Sequence, residues 1–448
     1  METDLCLSAF EKNVLSTLRR HLPAVQLANK HGRLSQALGT IIRATGADAP
    51  VGELCQLVKN NGHGVMAEVV GFRDGEMLLA PFSELDGFAS DTRVIPLRRE
   101  QMVGVGPALA GRVLNGFGEP IDGKGAIETD QHVPVRGAAP DPLSRRPITK
   151  IMATGIKVVD TLCTVGVGQR VGIFAPAGVG KSTLMGMWAR GANVDVNVVA
   201  LVGERGREVT EFIQHSLGEA GLAKTIVVVA TSDAPSIERV KCAEVATAIA
   251  EGLRARGLSV MLFMDSLTRY ARALREIGLA AGEPPTRRGY PPSVFAQLPR
   301  LLERAGNDAR GSITAAYTVL IEGEDTDDPI GEEVRSILDG HIVLSRTLAD
   351  SGRFPAVDPL ASLSRLMSIV ASAQHVDAAQ NVRKLLARFK EIELLLQVGE
   401  YRKGTDLVAD ESIARMPNIL KMLTQRTEHL FSIEDSLKSL AECTAGLT

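Results

Sequence analysis

Residues 171 to 190 read VGIFAPAGVGKSTLMGMWAR, a short apolar run, a glycine-bearing loop and then a stretch able to form a helix. No other feature constrains the fold as much, because a strand that enters a glycine loop and re-emerges as a helix belongs to a parallel βαβ arrangement. Gly178 and Gly180 let the loop backbone turn its N–H groups inward, and the helix N-terminus adds the positive end of its dipole. A loop of this kind cradles phosphate. Lys181 is placed to reach the β and γ phosphates, Ser182 to ligate magnesium, and Ala177, Gly178, Val179, Gly180, Lys181, Ser182 and Thr183 are the expected nucleotide contacts. One position departs from the general G-x-x-x-x-G-K-[ST] pattern: Ala175 replaces its first glycine, and Pro176 removes a potential N–H donor. The alternative is a glycine-rich turn with a chance GKST.

The surrounding texture supports a parallel sheet. The runs VGIFA (171–175), VNVVALV (196–202), TIVVVA (225–230) and SVMLFM (259–264) are almost wholly apolar and are separated by helical patterns, one carrying Val209, Phe212, Ile213 and Leu217 as a stripe. Strands without polar alternation belong to a sheet covered on both faces. Upstream, residues 33–97 change to short β-branched and aliphatic segments punctuated by Asn60-Asn61-Gly62 and Asp74-Gly75, the pattern of a small antiparallel barrel or sandwich. Residues 4–22 space Leu5, Phe10, Val14, Leu15, Leu18 and Leu22 as a short amphipathic helix stopped by Pro23. Beyond about residue 376 strands disappear; Val382, Leu385, Leu386, Phe389, Ile392, Leu395 and Leu396 form one helical face that ends at Gly399. The expected organisation is therefore an N-terminal helix (1–24), a small β-barrel (25–97), an α/β core carrying the phosphate-binding loop (98–376) and an α-helical domain (377–448).

Composition removes several other classes. With 50 Lys and Arg against 53 Asp and Glu, a net charge of -3 and only 4% aromatic residues, a broad basic, aromatic-laced nucleic-acid footprint is absent, so no nucleic-acid partner is expected. The five cysteines are scattered without a CxxC pair, as suits a reducing compartment, and no uninterrupted apolar run reaches about 18 residues. A cytoplasmic protein is expected, with any membrane association made through partners or a surface helix. The eight histidines form no HExxH and no Cys/His cluster, so a zinc site has no support.

Hydrolysis of a nucleoside triphosphate needs a carboxylate to hold the metal and a group to orient water, both at the carboxyl ends of strands beside the loop. Asp265 follows SVMLFM and Glu204 follows VNVVALV within GERGRE. Each has a plainer alternative. Asp265 suits an N-cap for the helix SLTRYARAL, and Glu204, beside Arg205, Arg207 and Glu208, suits a solvated or salt-bridged loop. Transition-state charge calls for an arginine as well, and spacing alone does not choose among Arg205, Arg207, Arg346 and Arg365.

Taken together, GRVLNGFGEPIDG (111–123), FAPAGVGKST, ALVGERGREV, LFMDSLTRYA, GYPPSVFAQLPRLLERAG, LDGHIVLSR and RFPAVDPLASLSR resemble the type III secretion ATPases, relatives of the catalytic β subunit of rotary ATP synthases. The resemblance spans about residues 33–435. PAVDPLASLS (355–364) is similar to the α/β family signature, and alanine at the first loop position is usual among secretion ATPases. The resemblance implies ATP and Mg2+ as ligands, Lys181 as the phosphate lysine, and Ser182 with Asp265 as the magnesium shell. It makes Glu204 the water-orienting carboxylate with Arg205 nearby, and Arg365 the finger that enters the adjacent subunit's site. Phe354 falls where the synthase β subunit stacks a tyrosine on adenine; an ordinary core aromatic is the alternative.

The same resemblance implies a homohexameric ring, a stator-like protein at the N-terminal region, a central stalk, export chaperones with their secretion substrates, and an export apparatus at the inner membrane. Residues 4–22 suit the stator contact or packing on their own barrel. The loop GEPPTRRGYPPSVF (282–295) resembles the pore-lining loop, where Arg287 and Arg288 face substrate or stalk, or only solvent. The expected function is ATP hydrolysis that releases and unfolds chaperone-bound substrates for type III export. VGEYRKGTDLVADESIARM favours the injectisome branch over the flagellar one. A non-catalytic regulatory subunit is expected to lack Glu204; a RecA-like nucleic-acid translocase and a proton-coupled synthase subunit are the contrasting classes.

Overall fold

A computed structural model of the protein describes residues 30–59, 62–84, 86, 88–321 and 328–446. The helix expected over residues 4–22 and the Asn60-Asn61 step lie outside the described residues. The chain divides into two compact units, one ending at Glu100 and the other beginning at Gln101.

In the first unit, β1 (Gly32–Leu38), β2 (Ile41–Thr45), β3 (Leu54–Val58), β4 (Gly64–Arg73), β5 (Glu76–Pro81) and β6 (Arg93–Pro96) close into a barrel in the order β1-β2-β5-β4-β3-β6, each pair antiparallel. Of the barrel and sandwich expected from the sequence, the barrel is the one formed. Its interior follows the period of two of a strand, with Ile42 and Ala44, Cys55 and Leu57, Ala67 and Val69, and Met77 and Leu79 buried in pairs. Asp74 and Gly75 link Arg73 to its partner Glu76 with φ values of 54° and 79°, the two left-handed residues that a tight hairpin requires.

The second unit is built on a sheet of β7 (Val113–Asn115), β8 (Arg170–Ala175), β9 (Val196–Glu204), β10 (Thr225–Thr231), β11 (Ser259–Asp265), β12 (Ser312–Leu320), β13 (Gly340–Val343) and β14 (Leu363–Ser364). Their order is β14-β13-β8-β12-β11-β9-β10-β7, parallel except for the β13–β14 edge. Successive residues serve opposite faces. Val198, Ala200 and Val202 pack with α2 (Ser236–Ala255), α3 (Leu267–Ala280) and α4 (Pro292–Leu302), whereas Val199 and Leu201 pack with α1 (Lys181–Gly191). Both faces being covered is the reason these strands are apolar throughout. Trp188 of α1 is fully buried and meets Phe263 edge-on with ring centroids 6.0 Å apart; truncating such a side chain to alanine costs about 3–5 kcal/mol.

Three further helices, α5 (Ala373–Gln397), α6 (Leu407–Leu423) and α7 (Ile433–Thr444), pack on the α1 side through Val382, Leu385, Ile419, Met422 and Leu440. Each is capped at its start by a side chain, Ser372, Asp406 and Ser432 respectively. The helical face expected for α5 is buried over only part of its length. Val382, Leu385 and Ile392 are covered, but Leu395 is exposed, as are Leu394 and Val398 beside it, because the last turns of α5 run past the body they pack against.

Candidate active site

β8 ends at Ala175, the chain turns through residues 176–180, and α1 begins at Lys181. Gly178 and Gly180 adopt φ values of 80° and 89°, left-handed conformations that a Cβ would strain. The ring of Phe354 lies beside this turn, with Cε1 3.8 Å from the position a Gly180 Cβ would take. At 44% exposure Phe354 is not a core aromatic; its ring is open to whatever the loop holds.

Lys181 gathers the two carboxylates. Its Nζ hydrogen-bonds Asp265 Oδ1 and lies 3.6 Å from Glu204 Oε1. Asp265 is buried at the carboxyl end of β11, and its Oδ1 also accepts a 2.8 Å hydrogen bond from Thr318 of β12. The alternative role of Asp265 as a helix cap falls to its neighbour: Ser266, not Asp265, accepts from the Arg269 amide at the start of α3. Glu204, the last residue of β9, is 6% exposed and so is not a solvated loop residue. Arg269 holds it from the other side, with a guanidinium nitrogen 3.2 Å from Oε2 and a second one bonded to the Gly203 carbonyl. Burial pushes the Glu204 carboxyl up to about 7, with the Asp265 charge adding to the rise and Lys181 opposing it. A carboxyl poised there exchanges a proton near neutrality, which suits a group that handles water.

The competing arginines separate. Arg205 and Arg207 are exposed and pair with Glu208 at 3.0 Å and Glu211 at 3.5 Å; Glu208 in turn hydrogen-bonds Glu204, so Arg205 lies near the site carboxylate but behind Glu208 rather than against it. Arg346 touches the loop, donating to the Ala177 carbonyl at 3.0 Å. Arg365 is exposed at the opposite end of the sheet. Its amide bonds the carbonyl of Asp339, whose carboxylate pairs with Arg170 at the start of β8. Five strand steps separate Arg170 from Ala175, so Arg365 is anchored roughly 16 Å from its own phosphate loop.

The donor set fits a nucleotide carrying a hard divalent cation. Ser182 and Asp265 offer two oxygens, and Glu204 Oε1 is buried without a hydrogen-bond partner, leaving it available to a further group. Among the described residues no group of three His, Cys, Asp or Glu side chains is placed to hold a metal, so a cation here shares its shell with phosphate oxygens and water. The sequence reading missed Arg269 and Thr318. Both lie within a few residues of a strand's carboxyl end, but only the parallel register of β9, β11 and β12 brings them to the carboxylates.

Fold and site together define a RecA-like P-loop nucleoside triphosphatase. Residues 155–364 match the nucleotide-binding domain of the ATP synthase alpha/beta family, and residues 371–442 match the T3SS EscN ATPase C-terminal domain. The chain is 57% identical over 430 residues to a type 3 secretion system ATPase of Xanthomonas euvesicatoria, covering 96% of this chain and 97% of that one. It is 48% identical over 419 residues to a flagellum-specific ATP synthase of Bacillus subtilis, covering 93% and 96%. The assembled ATPase EscN of the enteropathogenic E. coli type III secretion system superposes with a TM-score of 0.88 at 45% identity, covering 92% of this chain and all of that one. The chain belongs to the type III secretion ATPases of the ATP synthase alpha/beta family, and it is an ATP hydrolase.

Proposed function

We propose that this chain powers an injectisome-type secretion apparatus, working as a homohexameric ring that uses ATP hydrolysis to release and unfold chaperone-bound substrates. The observation that carries the reading is the separation of Arg365 from its own loop. Lys181, Glu204 and Asp265 stand together while Arg365 is anchored at the far end of its own sheet and the nearer Arg346 is engaged with the Ala177 carbonyl, so the site is completed when a second copy supplies Arg365. The 57% identity to a secretion ATPase, against 48% to a flagellar one, favours the injectisome over the flagellar reading.

In this reading the amides of residues 177–183 and the Lys181 ammonium bind the ATP phosphates, and the Phe354 ring stacks on the base. Ser182 and Asp265 would hold Mg2+, which supplies charge neutralisation at the β and γ phosphates when bound. Glu204 accepts a hydrogen bond from the attacking water and takes its proton. The water oxygen then attacks the γ phosphorus as the bond to the bridging oxygen breaks, and ADP leaves. Arg269 fixes the Glu204 carboxylate, and the neighbour's Arg365 meets charge that develops on the transferring group. Lys181 stands between the Glu204 and Asp265 carboxylates, which orient its ammonium at the head of the phosphate loop.

The proposed organisation keeps an N-terminal helix (1–24), a barrel (25–97), a nucleotide domain (98–376) and a helical domain (377–448). The N-terminal region would meet a stator-like protein, and the helical domain the central stalk and export chaperones. A structure of the relative EscN with its central stalk EscO supports the stalk assignment. The proposed location is cytoplasmic, peripheral to the inner membrane; among the described residues no helix is long and apolar enough to cross a membrane. The test is specific ATPase activity against protein concentration with sizing of the same samples. Activity per chain is expected to climb as monomers assemble, and full activity from a confirmed monomer would refute the shared site.

A further inference from the structure

We infer that Gln425 is a positioning residue for nucleotide binding, acting through Phe354; the inference rests on the reading that Phe354 stacks on the base. Gln425 follows α6 and is 5% exposed, yet it belongs to neither the phosphate loop nor the carboxylate cluster. Its main-chain amide donates to the Phe354 carbonyl at 2.9 Å. Its side chain makes three further hydrogen bonds: Oε1 accepts from the Lys157 amide at 2.9 Å, and Nε2 donates to the carbonyls of Gly155 at 2.8 Å and His429 at 2.7 Å. Phe354 and the Gly155–Lys157 pair lie far from Gln425 in the sequence, His429 only four residues on, and Gln425 satisfies all of them at once.

The segments it joins are the two ends of the phosphate-binding unit. At the start of α1, Phe354 lies against Gly180. At its other end, Gly191 is so closely packed on residues 154–155 that a Cβ there would fall 2.3 Å from the Thr154 carbonyl, and Arg190 donates to the Thr427 carbonyl at 2.6 Å. The strap of residues 154–156 is itself fixed by the buried Asp160 carboxylate, which accepts from the Thr154 and Gly155 amides at 2.9 and 3.1 Å. Gln425 therefore ties the aromatic ring to a rigid base at the far end of α1 and passes the position of α6 to that ring. The side chain has no route to the phosphates except through this frame. Its contribution falls on the base end of the ligand.

The experiment compares ADP with pyrophosphate as inhibitors of ATP hydrolysis by full-length protein. Gln425→Met keeps the volume and the main-chain bond but loses the three side-chain bonds; Phe354→Ala removes the ring. Both variants are expected to weaken ADP by roughly five- to tenfold and to leave pyrophosphate unchanged, with no further loss in the double variant. Thermal unfolding monitored by circular dichroism confirms that each is folded. If Gln425→Met does not fold, Gln425→Asn, which shortens the same amide, takes its place. Equal weakening of ADP and pyrophosphate in the Gln425 variant would reduce the residue to a structural one and overturn the inference. So would unchanged ADP binding in a folded Gln425 variant while Phe354→Ala weakens it. Unchanged ADP binding in Phe354→Ala instead removes the stacking reading and the inference with it, and the two failures are told apart by which variant is silent.

Discussion

Lys181 Nζ lies 3.6 Å from Glu204 Oε1 while hydrogen-bonding Asp265, so a single cation stands between two buried carboxylates that come from different strands. The carboxylates repel each other, and the lysine offsets only part of that. Burial, with that repulsion added, raises the Glu204 carboxyl from the ordinary 4.5 to about 7. Removing Lys181 as Lys181→Ala leaves only Arg269, on the far side of Glu204, against the repulsion and takes away the proposed phosphate contact. ATP binding is expected to weaken by roughly a hundredfold, measured by titration with a fluorescent nucleotide.

Glu204→Gln keeps the shape and loses the base. Nucleotide binding is expected to persist while turnover falls by roughly a hundredfold or more. In the parent enzyme kcat/KM should rise with pH through about 7, where the Glu204 carboxyl ionises, and that limb should be missing from the variant. Stability runs the other way. With the folded value raised, the stabilisation from neutral Glu204 is fully present below 4.5 and lost as pH rises through about 7. The glutamine variant, neutral throughout, should therefore gain thermal stability relative to the parent as pH rises from 4.5 to about 7 and hold that gain above it; a gap that narrows over this range would contradict the buried, raised carboxyl.

Two arginines four residues or fewer from a site carboxylate should behave differently. Arg269 reaches Glu204 from α3, whereas the Arg205 side chain is 74% exposed and pairs with Glu208. Arg269→Ala is expected to lower kcat by roughly ten- to a hundredfold, and Arg205→Ala by less than about threefold, since exposed pairs contribute little. Steady-state kinetics on the two purified variants decides it, and a severe loss from Arg205→Ala would restore that residue to the site.

The turns joining α5 to α6 leave Leu394, Val398 and Leu407 exposed at 68%, 58% and 82%. Side chains this exposed add almost nothing to the stability of the free chain. Replacing Leu394 and Leu407 with glutamate should leave the melting temperature within about 2 °C and abolish binding to the stalk protein, read by co-sedimentation. A large fall in melting temperature would instead mean that these residues are packed.

Much of the nucleotide site is legible in the sequence because its parts are local. The strand, loop and helix around Lys181 lie in one stretch, and Asp265 and Glu204 each end an apolar run. The β12 strand was not singled out, although it runs between β8 and β11, because SITAAYTVL interleaves Ser312, Thr314 and Thr318 with small residues and lacks the branched apolar texture of its neighbours. That texture has a reason: Thr318 is there to hydrogen-bond Asp265. Arg269 and Gln425 were illegible for a different cause. Each acts on a partner dozens or hundreds of residues away, and spacing carries no record of such a meeting. The exposed end of α5 leaves no mark in the spacing, because helical periodicity reports a face, not how far along the helix a neighbour extends.

The anchoring of Arg365 at the far end of the sheet from its own loop sets how activity is counted in an assembly. On the proposed reading, each chain offers a cradle at one end and a finger at the other. A pair of chains then contains one finished site, an open string always has one fewer finished site than it has members, and only closure into a circle makes the two numbers equal. Stepwise growth would raise output per chain gradually, and the last contact would supply a site without adding a chain. A cell that holds these proteins as open arcs thus keeps one member of each arc idle until closure.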